Sequence, residues 1–270
     1  MANSYFDVVE ETPDVSRFAA SGHTVGPWSR DLQHGGPPTA LAVTVAARHV
    51  QEATGRRDLR ACRLAADFVR AVPVGPVGVR VRIVRAARSA ALAEATVDAD
   101  GRECLVVRVW FVRDADTSSL VAAPPAPVTV PAAASWDADF GYGRSLEWRF
   151  VEGSMTAPGP ASTWLRPLVP LVPGWPVPSL ARCALVADSG SGISAELDWT
   201  RWSFVNVDLD VHLARPVEGE WLHLAATTQL GPHGSAVARS TLADVRGVVG
   251  GGLQTLVVGP LPDRADLPSS

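Results

Sequence analysis

The 270-residue chain has little of what marks a secreted, membrane-embedded or nucleic-acid-binding protein. Its cysteines number only three, Cys62, Cys104 and Cys183. They are odd in number, widely spaced and set in apolar stretches, so they read as free thiols that behave as small hydrophobes. The start, MANSYFDVVEETPD, lacks the basic end and apolar run of a signal peptide, and about 18 unbroken apolar residues occur nowhere. These absences set the expectation of a cytoplasmic protein with no membrane partner. Positive charge is also short. With 24 Lys+Arg against 28 Asp+Glu, a net charge of −4 and no basic run, nucleic acid is not an expected partner. His23, His34, His49, His212, His223 and His233 never stand at metal-ligand spacing with Cys or Asp, so no metal is expected. Gly250-Gly251-Gly252 precedes a strand rather than joining strand to helix, which excludes a phosphate loop, and no nucleophile elbow is present.

What is present is enough apolar residue, 47% against 19% charged, for one large domain or two of ordinary size. A Pro/Ala-rich stretch, residues 114–139, contains Pro124, Pro125, Pro127 and Pro131 and reads as a linker. It separates residues 1–113 from residues 140–270, and the two parts repeat each other. Each opens with strand-like alternation, continues into an apolar helical run (TALAVTVAARHV, then SLARCALVADSGSG) and closes with antiparallel strands. The first closing set is LAADFVRAV, VGVRVRIVRAA, ALAEATVDAD and ECLVVRVWFVRD; the second is RWSFVNVDLDVHLA, EWLHLAATTQL, SAVARSTLAD and GLQTLVVG. Pro73 aligns with Pro216 and Gly101 with Gly247. Both helices are apolar nearly all round, which requires protein on most sides. The expectation is an α+β tandem (double) hot-dog: two antiparallel sheets, each wrapped around a long central helix, joined edge to edge as a pseudo-dimer. Exposed sheet backs and tryptophan-rich faces add an expectation of homo-oligomer formation, with no number of chains specified.

Asp188 interrupts the second helical run. A carboxylate there must be hydrogen-bonded or take a proton, or else it caps the turn Ser189-Gly190-Ser191-Gly192. The aligned position in the first half is Val45, so only one half is armed. Asn206 in FVNVDLDVHL and Gln254 in GLQTLVV break strands of the same half, and buried amides need partners. The three side chains are candidates for converging on one water. Gln33-His34-Gly35-Gly36-Pro37-Pro38 precedes the first helix; its prolines suit a first helical turn and its glycines expose N–H groups to partial negative charge. The same stretch also reads as a tight turn capped by His34. Trp199 and Trp202, near the armed helix, fit either an acyl tunnel or plain core.

The stretches ADSGSGISAELDWTRWSFVNVDLDVHLARPVEGEWLHL and GGGLQTLVV, with WSRDLQHGGPPTALAV in the first half, resemble the acyl-CoA thioesterase II (TesB-like) family. The resemblance implies a double hot-dog fold and direct hydrolysis of a fatty acyl-CoA by an oriented water, with no cofactor. It implies catalytic roles for Asp188 and Gln254, places Asn206 where the family has Thr or Ser, and implies substrate-binding roles for His34, Gly35 and Gly36, the glycine N–H groups facing an oxyanion. Two rivals stand beside this reading. One is a non-catalytic acyl or acyl-CoA binding protein, in which the change to Asn marks lost hydrolysis. The other is an enoyl-CoA hydratase, for which regular alternation puts His212 on the face of Asn206.

Overall fold

The computed structural model describes residues 3–121, 129–132 and 136–261. Pro124, Pro125 and Pro127 of the expected linker lie outside the described residues. The first half runs β1 (Phe6–Glu11), β2 (Ser16–Ala20), α1 (Gly36–Thr54), β3 (Leu59–Phe68), β4 (Pro76–Ala86), β5 (Ala90–Ala99) and β6 (Arg102–Arg113). The second runs α2 (Gly141–Arg144), β7 (Leu146–Glu152), β8 (Ala161–Pro167), α3 (Ser179–Ala187), α4 (Gly190–Ile193), β9 (Trp202–Asn206), β10 (Asp208–Leu213), β11 (Leu222–Leu230), β12 (Ser235–Asp244) and β13 (Gly247–Pro260).

Two sheets were the expectation; the described strands form one open antiparallel sheet. Its order is β1-β2-β4-β5-β6-β3-β10-β13-β12-β11-β8-β7, with β9 also pairing on β13. From the β3–β10 joint outward, each side repeats the same sequence of elements, so the sheet has the plan of an approximate two-fold. Strand alternation supplies the inner face. In β5, Ala91, Ala93, Ala95 and Val97 are fully buried, and their small size lets α1 lie close on the sheet.

The two helices differ more than the repeat suggested. α1 is a single 19-residue helix with prolines in its first turn, and it ends at Gly55, whose φ of 64° is the left-handed cap that glycine adopts without penalty. The second helix is not long: α3 stops after nine residues at Asp188, and the four-residue α4 follows from Ser189. α1 and α3 pack directly on each other. Gly36 permits this, because a Cβ there would lie 2.3 Å from the Leu185 carbonyl oxygen.

The run RWSFVNVDLDVHLA also divides. At Val207 the register slips by one residue: Val207 N–H still donates to the Thr255 carbonyl, but the Asp208 carboxylate accepts from the Thr255 N–H and hydroxyl. Phe204 is buried and Asn206 turns inward before the break, whereas Leu209, Val211 and Leu213 are buried after it. The interruption shifts the inward face by one residue, as a bulge does. His212 is exposed in consequence, and it does not share the face of Asn206.

Candidate active site

The start of α1, the end of α3, β9 and the end of β3 enclose a cavity of about 380 Å³. Its polar wall includes Gln33, His34, Asp188 and Asn206; its apolar wall includes Trp28, Phe68, Trp199 and Phe204. Trp28 and Trp199 stack with ring centroids 5.0 Å apart, and Phe204 meets both edge-on. Trp202, the first residue of its strand, is exposed and does not border the cavity. A larger surface cleft, about 470 Å³, lies between the β1–β2 turn and α1; Val45, the counterpart of Asp188, borders it, and no candidate catalytic residue does.

Asp188 is 5% exposed and fully engaged. Its Oδ1 accepts from Asn206 Nδ2 at 2.8 Å and Gln254 Nε2 at 3.3 Å, and its Oδ2 lies 2.8 Å from His34 Nδ1. The helix break makes this arrangement accessible: Asp188 is the C-cap of α3, so its side chain leaves the helix toward the start of α1. A carboxylate at a helix N-terminus is stabilised by the orphan N–H groups and the positive end of the dipole. Gly35 is where that approach occurs. A Cβ at residue 35 would lie 2.7 Å from the Phe68 ring and 2.9 Å from Asp188 Oδ2.

The amides are anchored on both sides. Gln254 Nε2 also donates to the Asp188 carbonyl at 3.2 Å, and its Oε1 accepts from the Ser191 N–H at 3.1 Å, tying Asp188 to the first turn of α4. Gln254 is 1% exposed and stands behind the carboxylate rather than on the cavity wall. Asn206 Nδ2 also donates to the Asp208 carbonyl at 3.3 Å, and among the described residues its Oδ1 has no partner. Both amides therefore hold the carboxylate with their hydrogens.

His34 was singled out as a substrate contact; the structure makes it the direct partner of Asp188 across the two halves. The Gly36 N–H also points at Nδ1, at 3.2 Å. One nitrogen cannot serve both contacts fully, and the shorter, charge-assisted one places the proton on Nδ1, toward the carboxylate. Nε2 is then the acceptor nitrogen, and among the described residues it has no partner. The ring stacks on Tyr142 with centroids 3.8 Å apart. Tyr142 is fully buried and donates to the Leu185 carbonyl at 2.7 Å beside Ser189 Oγ at 2.8 Å. Burial, with Tyr5 nearby, holds its hydroxyl well above the usual tyrosine range, so it remains a neutral donor. The sequence reading missed Tyr142, and its one signal was an aromatic between two glycines in GYGR.

Gly35 borders the cavity and Gly36 does not. Pro37 and Pro38 have no N–H, Thr39 N already donates to the Gly35 carbonyl and Gly36 N faces His34 Nδ1, so among the described residues Gly35 carries the unpartnered donor of this helix end. Among the described residues no group of three or more His, Cys, Asp or Glu is placed to hold a metal ion, and no helix is long and apolar enough to cross a membrane.

The fold is shared with solved structures of low sequence identity. A tesB protein from Mycobacterium avium subsp. paratuberculosis superposes with a TM-score of 0.71 at 17% identity, covering 94% of this chain and 96% of that one. A hot dog fold protein from Alicyclobacillus acidocaldarius gives 0.74 at 16%, covering 95% and 96%. An acyl-CoA thioesterase II from Mycobacterium marinum gives 0.69 at 13%, covering 97% of each chain. No curated protein sequence matches. Two family models do match: the acyl-CoA thioesterase N-terminal domain over residues 24–112 and the acyl-CoA thioesterase C-terminal domain over residues 122–258. With most of its length accounted for by these two models, the chain belongs to the acyl-CoA thioesterase family and is a thioester hydrolase.

Proposed function

We propose that this tandem hot-dog enzyme, with units at residues 1–113 and 140–270, hydrolyses a fatty acyl-CoA in the cavity between His34 and Asp188. The observation that carries the reading is the 2.8 Å contact between His34 Nδ1 and Asp188 Oδ2, made on a carboxylate already fixed by two amides. Asp188 holds the Nδ1 proton and orients the ring. The Nε2 lone pair then takes a proton from a water attacking the thioester carbonyl, and the Gly35 N–H receives the developing oxyanion. Collapse of the tetrahedral intermediate expels the CoA thiolate, which needs little help as a leaving group and takes the proton back from the imidazole. No covalent intermediate is required. This revises the sequence expectation in two respects: His34, expected as a substrate contact, takes the proton, and Asn206 and Gln254 position the carboxylate, with Asn206 Oδ1 the amide atom left for water. The aromatic wall of Trp28, Phe68, Trp199 and Phe204 suits an acyl chain. Three unpaired cysteines accord with a reducing, cytoplasmic setting.

The test compares Asp188→Asn and His34→Gln with wild type on a series of acyl-CoA thioesters. Each variant is expected to lose about 10²- to 10⁴-fold in kcat/KM while remaining folded, the range for a positioned general base. If His34→Gln stays active while Asp188→Asn does not, the carboxylate itself is the base. A second reading follows from the same pair. An imidazole and a carboxylate in contact are the acid-base couple that hydration of an enoyl-CoA needs, with His34 filling the place that His212 cannot. Crotonyl-CoA hydration, assayed beside thioester hydrolysis, separates the two.

A further inference from the structure

The two-fold plan of the sheet gives the catalytic cavity a counterpart at the other end of the helix pair, where the start of α3 meets the end of α1. The register that carries Gly36 onto Ser179 carries His34 onto Val177, so this cavity has no imidazole, while Val45, the counterpart of Asp188, borders the separate surface cleft between the β1–β2 turn and α1. The counterpart is nevertheless an open cavity of about 280 Å³, and its walls hold Arg48, Gln51, Arg56, Arg57, Arg60 and Ser179 with no acidic residue among them. In a chain of net charge −4, that is a local concentration of positive charge.

Acids outside the wall engage some of these groups. Arg56 is spent on Asp58 and on the carbonyls of Ala87 and Arg88, while Arg48 reaches Glu11 at 3.2 Å and lies over the Trp175 ring. Arg60 gives its Nε to Asp114, but its Nη1 is buried with no partner, and Arg57 has none among the described residues. The buried Nη1 is out of a ligand's reach, so the exposed Arg57 guanidinium is the free donor that can meet an anion in this cavity, with Arg60 adding positive charge to its wall. α3 begins there as well: its N-cap is Pro178, which makes no side-chain cap, so the first-turn N–H groups of this nine-residue helix lack a capping oxygen. Leu59 and Pro176 give the same cavity an apolar side.

We propose that this second cavity binds a phosphate-bearing small molecule, its phosphates against Arg57, Arg60 and the start of α3 and its apolar body against Leu59 and Pro176. The site is independent of the catalytic assignment, since it shares no residue with the Asp188 cavity. Isothermal titration of the full chain with pyrophosphate, with ADP and with coenzyme A tests it. Pyrophosphate and ADP are expected to bind at one site per chain, more weakly as salt is raised. Arg57→Glu and the double variant Arg57→Gln/Arg60→Gln are each expected to weaken binding at least about tenfold, with thioester hydrolysis in the absence of added phosphate unchanged. Because Arg57 is exposed, Arg57→Glu keeps the test valid even where loss of Arg60 perturbs the fold. Displacement of ADP by coenzyme A would assign the site to the nucleotide end of a second coenzyme A; ADP binding without such competition would assign it to a free nucleotide. Absence of binding by both pyrophosphate and ADP overturns the proposal. So does binding that survives Arg57→Glu, or binding lost instead in Arg70→Gln, whose side chain borders the catalytic cavity.

Discussion

Gln254 uses its amide hydrogens on the Asp188 carbonyl and carboxylate and its oxygen on the Ser191 N–H. Replacing it with Met keeps the volume but leaves a buried N–H and a buried carbonyl unpaired, at a cost of about 2 kcal/mol in unfolding free energy by urea titration. In steady-state kinetics kcat should fall while KM stays close to wild type, because the lost bonds orient Asp188 and touch no substrate; an undiminished kcat would remove Gln254 from that role. Asp244 tests a different kind of buried carboxylate. Burial raises its pKa, but Arg215 in two bonds and the N–H groups of Glu218 and Arg246 outweigh that and hold it below the ordinary value. A depressed carboxylate stabilises the fold above its unfolded value and loses that contribution as pH falls through the folded one. Asp244→Asn should therefore cost about 3 kcal/mol near neutrality and flatten the acid limb of stability against pH. Asp188, Asn206 and Gln254 were legible as candidates because each is a polar residue inside an apolar run. The partnership of His34 with Asp188 was not, since it joins residues from different halves and depends on how closely two helices approach. Tyr142 was hidden for the same reason.

Helices and strands were legible wherever one periodicity held from end to end. α1 and the long hairpin strands β4, β5, β6, β11 and β12 follow their apolar patterns closely. The run from Trp202 to Leu213 was misleading because Val205, Val207, Leu209, Val211 and Leu213 alternate without a break in the sequence. In the fold Val205 and Val207 are exposed while the later three are buried. The reversal comes from the Asp208 carboxylate replacing a backbone carbonyl in the ladder, a substitution that hydrophobic patterning does not record. The junction of α1 and α3 was readable only as glycines before prolines; the close approach supplies the reason for them. Gly36→Ala puts a methyl group 2.3 Å from the Leu185 oxygen, and backbone cannot yield as a flexible side chain does. A loss of about 2 kcal/mol is expected by thermal or urea unfolding, together with reduced hydrolysis, because α3 carries Asp188 at its end. Normal stability in Gly36→Ala would show that the helices separate at little cost.

At the scale of the whole molecule the question is what joins the halves. The joint pairs β3 with β10, and its one ion pair, Arg63 with Asp210 at 2.7 Å, is about a third exposed on both sides and contributes little. Asp208 even stands opposite Asp67. Cohesion comes instead from the backbone ladder, from buried Leu64, Ala66, Leu209 and Val211 beside it, and from α1 packed on α3. All of these are shared, so neither half has a complete core without the other. Unfolding in urea should be one transition, with tryptophan fluorescence and far-ultraviolet circular dichroism coinciding. Residues 1–121 produced alone would expose β3 as a ten-residue edge and the apolar face of α1, and should aggregate or pair in size-exclusion chromatography. The catalytic pair makes the same demand in chemical terms, because His34 and Asp188 come from opposite sides of this joint. Mixing separately produced halves should restore hydrolysis only in fractions where both chains elute together. A stable, monomeric first half with a transition of its own would mean that the continuous sheet is two domains placed side by side.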